Sequence, residues 1–472
     1  MKDILIGREN ERKQLDSCLA SGRSELIAVY GRRRVGKTFF ISQVLKDRAC
    51  FDLTGMENAN IRDQLYNFYL ALSKVYSRAK RPSSWLEAFE QLSNYIDSLD
   101  SEKKIITIDE LPWLDTPKAR FLSAFEHFWN SWAAHREDIK LIVCGSATSW
   151  MIDKLLNNRG GLHNRVTHQI HIAPFTLHET KAYLKHYGFR YNDKELAECY
   201  MVLGGVPYYY SLLSPTLSLA QNIDKLFFAQ YGELRYEFEN VYRSLFKHAK
   251  DYITIIRALA QRGKGLTRKQ LLEQTELNNN AKFTQMLDEL EKCGFIRCYV
   301  PFSKTKREEL YQLIDAFTLF HLKFIEANQY QDEAFWSHSL KSPQYRAWSG
   351  YAFEMLCLNH LPEIKKALGI SEIQCRACCW VAKADESSRG AQIDLLIDRA
   401  DQTVNVCEMK FSETTYTLTK NEYESLENKV DTLVRQTGTR KSLMLTFITS
   451  FGLMPNKYSG HIQRSLSLQD FI

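Results

Sequence analysis

The stretch Gly31-Arg32-Arg33-Arg34-Val35-Gly36-Lys37-Thr38 restricts this chain more than any other. It has the form G-x-x-x-x-G-K-T, and its flanks agree with it. Glu25 to Tyr30 is an apolar run suited to a buried strand, and Thr38 to Leu45 continues at helical spacing. Glycines let the backbone N–H groups close round phosphate oxygens, Lys37 reaches the β and γ oxygens, and Thr38 offers its hydroxyl to Mg²⁺. The N-terminus of the following helix adds the positive end of its dipole. Gly31 to Thr38 are therefore expected to bind a nucleoside triphosphate.

Further strands support that reading. Ala49 to Leu53 is a second apolar run, and polar and aromatic helical segments follow to about Leu99. Lys104 to Asp109 is another strand, and it ends in Asp109-Glu110. An acidic exit from a buried strand is common in α/β proteins; downstream of a phosphate-binding loop it reads as a Walker B pair. Asp109 then holds Mg²⁺ through water, and Glu110 polarises the attacking water. Lys140 to Gly145 leads to Ser146. Resemblance to ATPases whose catalytic Glu follows the Walker B Asp implies that this strand lies between the other two in an open parallel sheet, with Ser146 facing the γ-phosphate. Arg159 and Arg165, in the glycine-rich stretch before a strand over 166–172, are candidates to neutralise charge on the transferring phosphoryl group. A solvated basic loop is the alternative for them.

Beyond Pro174 the pattern turns helical as far as Leu203-Gly204-Gly205-Val206-Pro207 and on to about Lys247. Between Asp251 and Ile314 it predicts three short helices and a two-stranded ribbon around the basic turn Lys304, Lys306 and Arg307, a winged helix-turn-helix. Its third helix offers Asn279, Asn280, Lys282, Gln285 and Asp288 outward, without a run of arginines. Contact with DNA and packing between domains both remain open for it.

In the last quarter, Trp348 to Leu356 opens an amphipathic helix that includes Glu354. Gln392 to Ile397 and Val404 to Lys410 read as an antiparallel hairpin, with Glu408 and Lys410 on one face because side chains alternate. Asp394 followed by Glu408-x-Lys410 resembles the core of the PD-(D/E)xK nuclease fold. That resemblance implies a divalent metal on Asp394 and Glu408, with Lys410 orienting or activating water and Glu354 completing the acidic cluster. No proline precedes Asp394, a departure from the first motif. A surface hairpin, or a nuclease fold kept as a platform without activity, would carry the same residues. Cys375, Cys378 and Cys379, with Cys357 and His360 upstream, also raise a zinc site, although the three cysteines sit in a strand-like run.

Taken in order, these motifs resemble one prokaryotic group first noted chiefly in archaea. Its members combine an AAA-like or STAND-class P-loop core with a C-terminal restriction-endonuclease-like domain. The segment Ile6-Gly7-Arg8-Glu9 resembles the adenine-side motif of such ATPases, Gly204 to Pro207 resembles their lid, and Arg165 lies where an arginine is usual. The resemblance implies an α/β chain of a P-loop core (1–173), a helical lid (174–247), a winged helix (248–330) and a nuclease-like domain (331–472). It further implies Mg²⁺-dependent ATP hydrolysis coupled to DNA processing or defence, or alternatively a nucleotide-gated switch or scaffold. DNA is the expected partner, and a homo-oligomer or partner protein is left open. The 472 residues carry a net charge of only +6, which permits DNA binding without requiring it. Eleven cysteines without a framework of spacings, and no apolar run of membrane length, point to the cytoplasm.

Overall fold

The apolar run ahead of the phosphate-binding loop becomes strand β1 (Glu25–Tyr30), buried along nearly its whole length. In the computed structural model, residues 4–157, 160–162, 164–328, 332–382 and 390–472 are described. The chain divides into two compact units, Met1–Pro174 and Phe175–Ile472.

In the first unit, β1 is joined by β2 (Ala49–Thr54), β3 (Lys104–Asp109), β4 (Ile139–Gly145) and β5 (His168–His171). The strands are parallel, in the order β2-β3-β4-β1-β5. β4 thus lies between the loop strand and the Asp-Glu strand, the position expected for it. Both faces of the sheet are covered, which is why its strands are apolar throughout rather than alternating. Period two then sends successive residues of β1 to different cores. Leu26 and Ala28 join Phe89, Phe125 and Leu92 from helices α2 (Trp85–Asp97) and α3 (Phe121–Ser131). Ile27 and Val29 join Phe40, Val44 and Leu45 from helix α1 (Lys37–Leu45). Each Leu, Ile, Val and Phe among these, fully buried, is worth about 1.5–3 kcal/mol.

The second unit begins with capped helices. Thr176 and Asn192 each accept from a backbone N–H three residues on, while Glu179 and Glu195 reciprocate, and α4 (Asp193–Leu203) follows the second box. Next come α5 (Ala249–Ala260), β6 (Leu266–Thr267), α6 (Arg268–Thr275), α7 (Ala281–Lys292), β7 (Ile296–Tyr299) and β8 (Leu310–Leu313). The ribbon expected here gains a third short strand, because β6 pairs antiparallel with β8 to give the order β6-β8-β7.

The rest of the unit is a five-stranded sheet approached by α8 (Pro343–Asn359). Strands β9 (Cys375–Ala382), β10 (Ala391–Arg399) and β11 (Thr403–Lys410) form an antiparallel meander. Helix α9 (Lys420–Thr437) then crosses over, so that β12 (Ser442–Thr449) and β13 (Arg464–Ser467) pair in parallel. Cys407 and Met409 face α8, whereas Val404 and Val406 face Leu433 of α9. A register shift between Ile393 and Leu396 interrupts β10, and both of those residues lie in the α9-side core although three positions apart. Such a bulge re-aims the side chains around it, here including Asp394.

Candidate active sites

The phosphate-binding loop follows β1 at the carboxyl edge of the first unit's sheet. Gly31 lies at φ +154°, and a Cβ there would stand 2.2 Å from the Ile172 carbonyl oxygen, so the loop closes against the end of β5 only with glycine. Gly36, at φ +87°, caps the helix that Lys37 and Thr38 begin. Lys37 is buried, and its Nζ donates to the Arg32 carbonyl at 3.0 Å. Burial pulls its pKa below the ordinary value, against the opposing charges of Asp109 and Glu110. Thr38 Oγ1 donates to Asp109 Oδ2 at 2.7 Å, so the two sequence-predicted Mg²⁺ oxygens are in contact. Asp109 Oδ1 accepts the Glu110 N–H at 2.8 Å. Glu110 Oε2 in turn accepts from both the N–H of Ser146, at 3.1 Å, and its Oγ, at 2.9 Å. Ser146 therefore meets Glu110 directly, a pairing the sequence did not disclose. Arg8, buried, lies 3.5 Å by its Nη2 from the Val35 carbonyl, which ties the Ile6-Gly7-Arg8-Glu9 segment to the loop.

In the second unit, the β10–β11 register runs Leu395 to Cys407 and Leu396 to Val406, and its continuation sets Asp394 against Glu408. Glu354 of α8, Asp394 of β10, and Glu408 and Lys410 of β11 come together at this end of the sheet, each held by an ammonium or a carboxylate. Lys410 Nζ lies 2.9 Å from Glu408 Oε1, and Lys429 of α9 lies 2.8 Å from Glu408 Oε2. Lys264, from the turn between α5 and β6, contacts Glu354 Oε2 at 3.2 Å and also Asp394 Oδ1. Burial and the Asp394 carboxylate push Glu354 up to about 7, against the pull of Lys264. Burial disfavours the Lys410 ammonium, but Glu408 outweighs it and its pKa lies above the ordinary value. Lys410 is thus held as a cation beside Glu408 at neutral pH. Among the described residues, no three His, Cys, Asp or Glu side chains are gathered as a metal site; the carboxylates here are divided between ammonium groups.

The zinc alternative fails on His360. Its Nε2 accepts from the Leu177 N–H at 2.8 Å and its Nδ1 lies 2.8 Å from the Leu356 carbonyl, so both ring nitrogens are committed. The basic residues Lys304, Lys306 and Arg307, in the turn between β7 and β8, are exposed, and Lys304 pairs with Glu308. On the same hairpin, Tyr299 and Phe302 pack with Cys379, Trp380 and Val406 of the C-terminal sheet. The outward face of α7 is engaged within the chain, through Lys282 with Asp251, Gln285 with Glu289, and Lys292 with Asp288.

A family described as "ATPase domain predominantly from Archaea" matches residues 5–213. This stretch is an archaeal-type ATPase domain. Over 372 residues the chain is 27% identical to the uncharacterized protein MJECL04 of Methanocaldococcus jannaschii, covering 77% of this chain and 78% of that one. Among solved structures it is similar to the Walker-type ATPase PABY2304 of Pyrococcus abyssi, with 15% identity, 67% of this chain and 96% of that one covered, and a TM-score of 0.46. It is also similar to the ORC2 protein of Aeropyrum pernix in ADPNP–ADP complexes, with 14% identity, 68% and 94% covered, and a TM-score of 0.41.

Within the ATPase domain, Arg165 is exposed at a turn leading into β5. Two residues on, the Thr167 N–H donates to the Leu26 carbonyl, near the start of β1, whereas the phosphate-binding loop follows the end of that strand. Arg159 lies outside the described residues. Arg32, Arg33, Arg34 and Val35 form the loop between the two glycines, with Arg34 at φ +71°. No helix among the described residues is long and apolar enough to cross a membrane. The residues that sequence reasoning missed are Lys264 and Lys429. Neither stands in a motif, and each reaches its carboxylate through tertiary folding alone.

Proposed function

We propose that this protein is an Mg²⁺-dependent ATPase whose nucleotide state controls a PD-(D/E)xK nuclease-like domain acting on DNA. Four parts are assigned: a P-loop core over 1–173, a lid over 174–247, a winged helix over 248–330 and the nuclease-like domain over 331–472. In the core, Lys37 and the N–H groups of residues 31–38 bind the triphosphate. Thr38 and Asp109 suit Mg²⁺, since both present hard oxygen donors and already lie in contact. When bound, the ion neutralises charge on the phosphates. Glu110 accepts a proton from the attacking water, and to do so its Oε2 must exchange Ser146 for that water. Ser146 then turns its hydroxyl toward the γ-phosphate. Arg165, exposed beside the early part of β1, suits a phosphate on a neighbouring copy better than the one on its own loop.

In the nuclease-like domain, Asp394 and Glu408 hold the divalent cation, Glu354 completes the cluster, and Lys410 orients the attacking water. The observation that most supports this is the grouping of these four residues, which lie up to 56 positions apart in sequence, at one end of one sheet. The exposed wing lysines and Arg307 suit DNA phosphates, while the internally paired face of α7 suits packing. A second reading, a nucleotide-gated switch or scaffold with an inactive nuclease fold, draws support from Lys264 and Lys429, which already neutralise the carboxylates.

The deciding experiment is cleavage of single- and double-stranded DNA with Mg²⁺ or Mn²⁺, with and without ATP. Wild type is expected to cleave, Asp394→Ala and Lys410→Ala to lose cleavage, and Lys37→Ala to lose ATP binding and the ATP response. Equal cleavage by wild type and Asp394→Ala assigns the activity to a contaminant. ATP-dependent oligomerisation without cleavage selects the switch.

A further inference from the structure

Lys264 reaches the acidic cluster from 90 positions ahead of Glu354, and its approach is built from several elements. It sits in the turn Gly263-Lys264-Gly265 between α5 and β6. The Lys264 carbonyl accepts from Tyr299 Oη at 2.6 Å. The Gly263 carbonyl accepts from Tyr351 Oη at 3.0 Å and from Gln312 Nε2 at 2.5 Å. Gly265 lies at φ +87°, and a Cβ there would stand 2.3 Å from the Tyr311 carbonyl oxygen, so a side chain would lift the turn from β8. Tyr299 Oη also lies 3.1 Å from Cys379 Sγ, and the Phe302 N–H donates to the Cys379 carbonyl at 2.9 Å. The turn is therefore fastened to β7, β8 and α8, and β7 with the hairpin is fastened to β9. A surface lysine meeting carboxylates by chance would have none of this support.

We propose that Lys264 is a built-in counter-cation: its ammonium takes the place a divalent cation needs beside Glu354 and Asp394, and the Gly263–Gly265 turn must withdraw before such a cation binds. This rests on the nuclease-like reading of the same carboxylates. An ammonium and a divalent cation brought to the same carboxylate oxygens repel each other at close range, so tether and metal compete. The apparent metal affinity is the intrinsic one multiplied by the fraction of time the turn is away; a turn docked nine-tenths of the time weakens it about tenfold. The turn belongs to the segment that also carries α6, α7 and the basic hairpin. A ligand that pulls this segment from the sheet therefore admits the metal, and one that seats it excludes the metal.

Isothermal titration of Mn²⁺ into the full chain tests this. Lys264→Gln keeps the length of the side chain and the backbone bonds of the turn but removes the charge. It is expected to bind Mn²⁺ about tenfold or more tightly than wild type, and adding Asp394→Asn is expected to abolish that gain. Gly265→Ala, which keeps the lysine but unseats the turn, is expected to tighten binding in the same direction, so the test survives if one variant folds poorly. Lys269→Gln, which removes an equally charged but exposed lysine on α6, is expected to match wild type. Mn²⁺ affinity unchanged or weaker in folded Lys264→Gln overturns the proposal, as does an equal gain in Lys269→Gln. The nuclease reading is scored separately by cleavage. Tighter Mn²⁺ binding without cleavage keeps the counter-cation and removes the nuclease. Cleavage by wild type, with Lys264→Gln no tighter and no faster, does the reverse.

Discussion

Glu198 offers a sharp test of how the second unit is held together. It lies on α4 and is buried, with Lys194 and Glu195 on its own helix, Tyr345 of α8 hydrogen-bonded to it, and Glu413 nearby. Burial pushes its carboxyl from its ordinary value of 4.5 up to about 7, and Lys194 and Tyr345 offset only part of that. Between those two values the folded chain keeps a proton that the unfolded chain has released. The group's contribution to stability is therefore complete below about pH 4.5 and is lost as pH rises through about 7. A span of about 2.5 pH units corresponds to about 3 kcal/mol at the alkaline end. For a unit of this size that is a fall in melting temperature of roughly 5 °C or more. Glu198→Gln cannot ionise, so calorimetric scans from pH 5 to 8.5 are expected to show it gaining on wild type as pH rises. A difference between the two that stays constant with pH would refute the reasoning, because a changed contact alone gives an offset and not a slope.

Three further perturbations bear on the ATPase domain. Glu110→Gln is expected to keep ATP binding and to lower turnover by roughly 10²–10⁴-fold, the usual worth of a positioned general base; a turnover within threefold of wild type removes Glu110 from that role. Gly31→Ala must open about 1 Å between the loop and Ile172 to bring its Cβ beyond 3 Å, starting from 2.2 Å. Its affinity for a fluorescent ATP analogue is expected to drop at least tenfold, and an unchanged affinity would show that the loop tolerates the shift. Arg165→Ala is expected to lower turnover without weakening nucleotide binding, with wild-type turnover rising with protein concentration if the residue serves a neighbouring copy; full-rate turnover by the variant removes it from the mechanism.

The parts of this molecule that were legible in the sequence are those encoded within a few residues. The phosphate-binding loop, the Asp109-Glu110 exit and the alternation of Glu408 with Lys410 depend on local geometry, and they stand in the structure as local geometry requires. The place of β4 is inferred from the resemblance to ATPases whose Glu follows the strand's Asp, and the observed order agrees with it. What escaped depends on chain returning from far away. The bulge in β10 that re-aims Asp394 leaves no composition signal, since Ile393 and Leu396 are both apolar on either reading. The short β6 is two residues of pairing, too brief to show a period. Lys264 lies between two glycines, which marks a turn but says nothing of the carboxylates it meets. Lys429 is one of many charged residues on an amphipathic helix, and only the crossover of α9 brings it to Glu408.

Both sites keep their carboxylates occupied by donors of the protein itself. Glu110 accepts two bonds from Ser146, and Glu354 and Asp394 share Lys264. In each case the group proposed to act is satisfied until something with more charge arrives, a triphosphate with its ion at one site and a divalent cation at the other. The two restraints differ in how they are released. Ser146 follows directly on β4, so freeing Glu110 takes only a side-chain rotation and a small backbone shift. Lys264 rides on a turn bonded to Tyr299, Tyr351 and Gln312, so withdrawing that turn from Asp394 requires several hydrogen bonds to break together. A restraint of the first kind is released at every turnover, and one of the second kind only when a larger segment moves. On the proposed reading, the ATP site is thus suited to cycling, and the C-terminal site to staying shut until a specific event opens it.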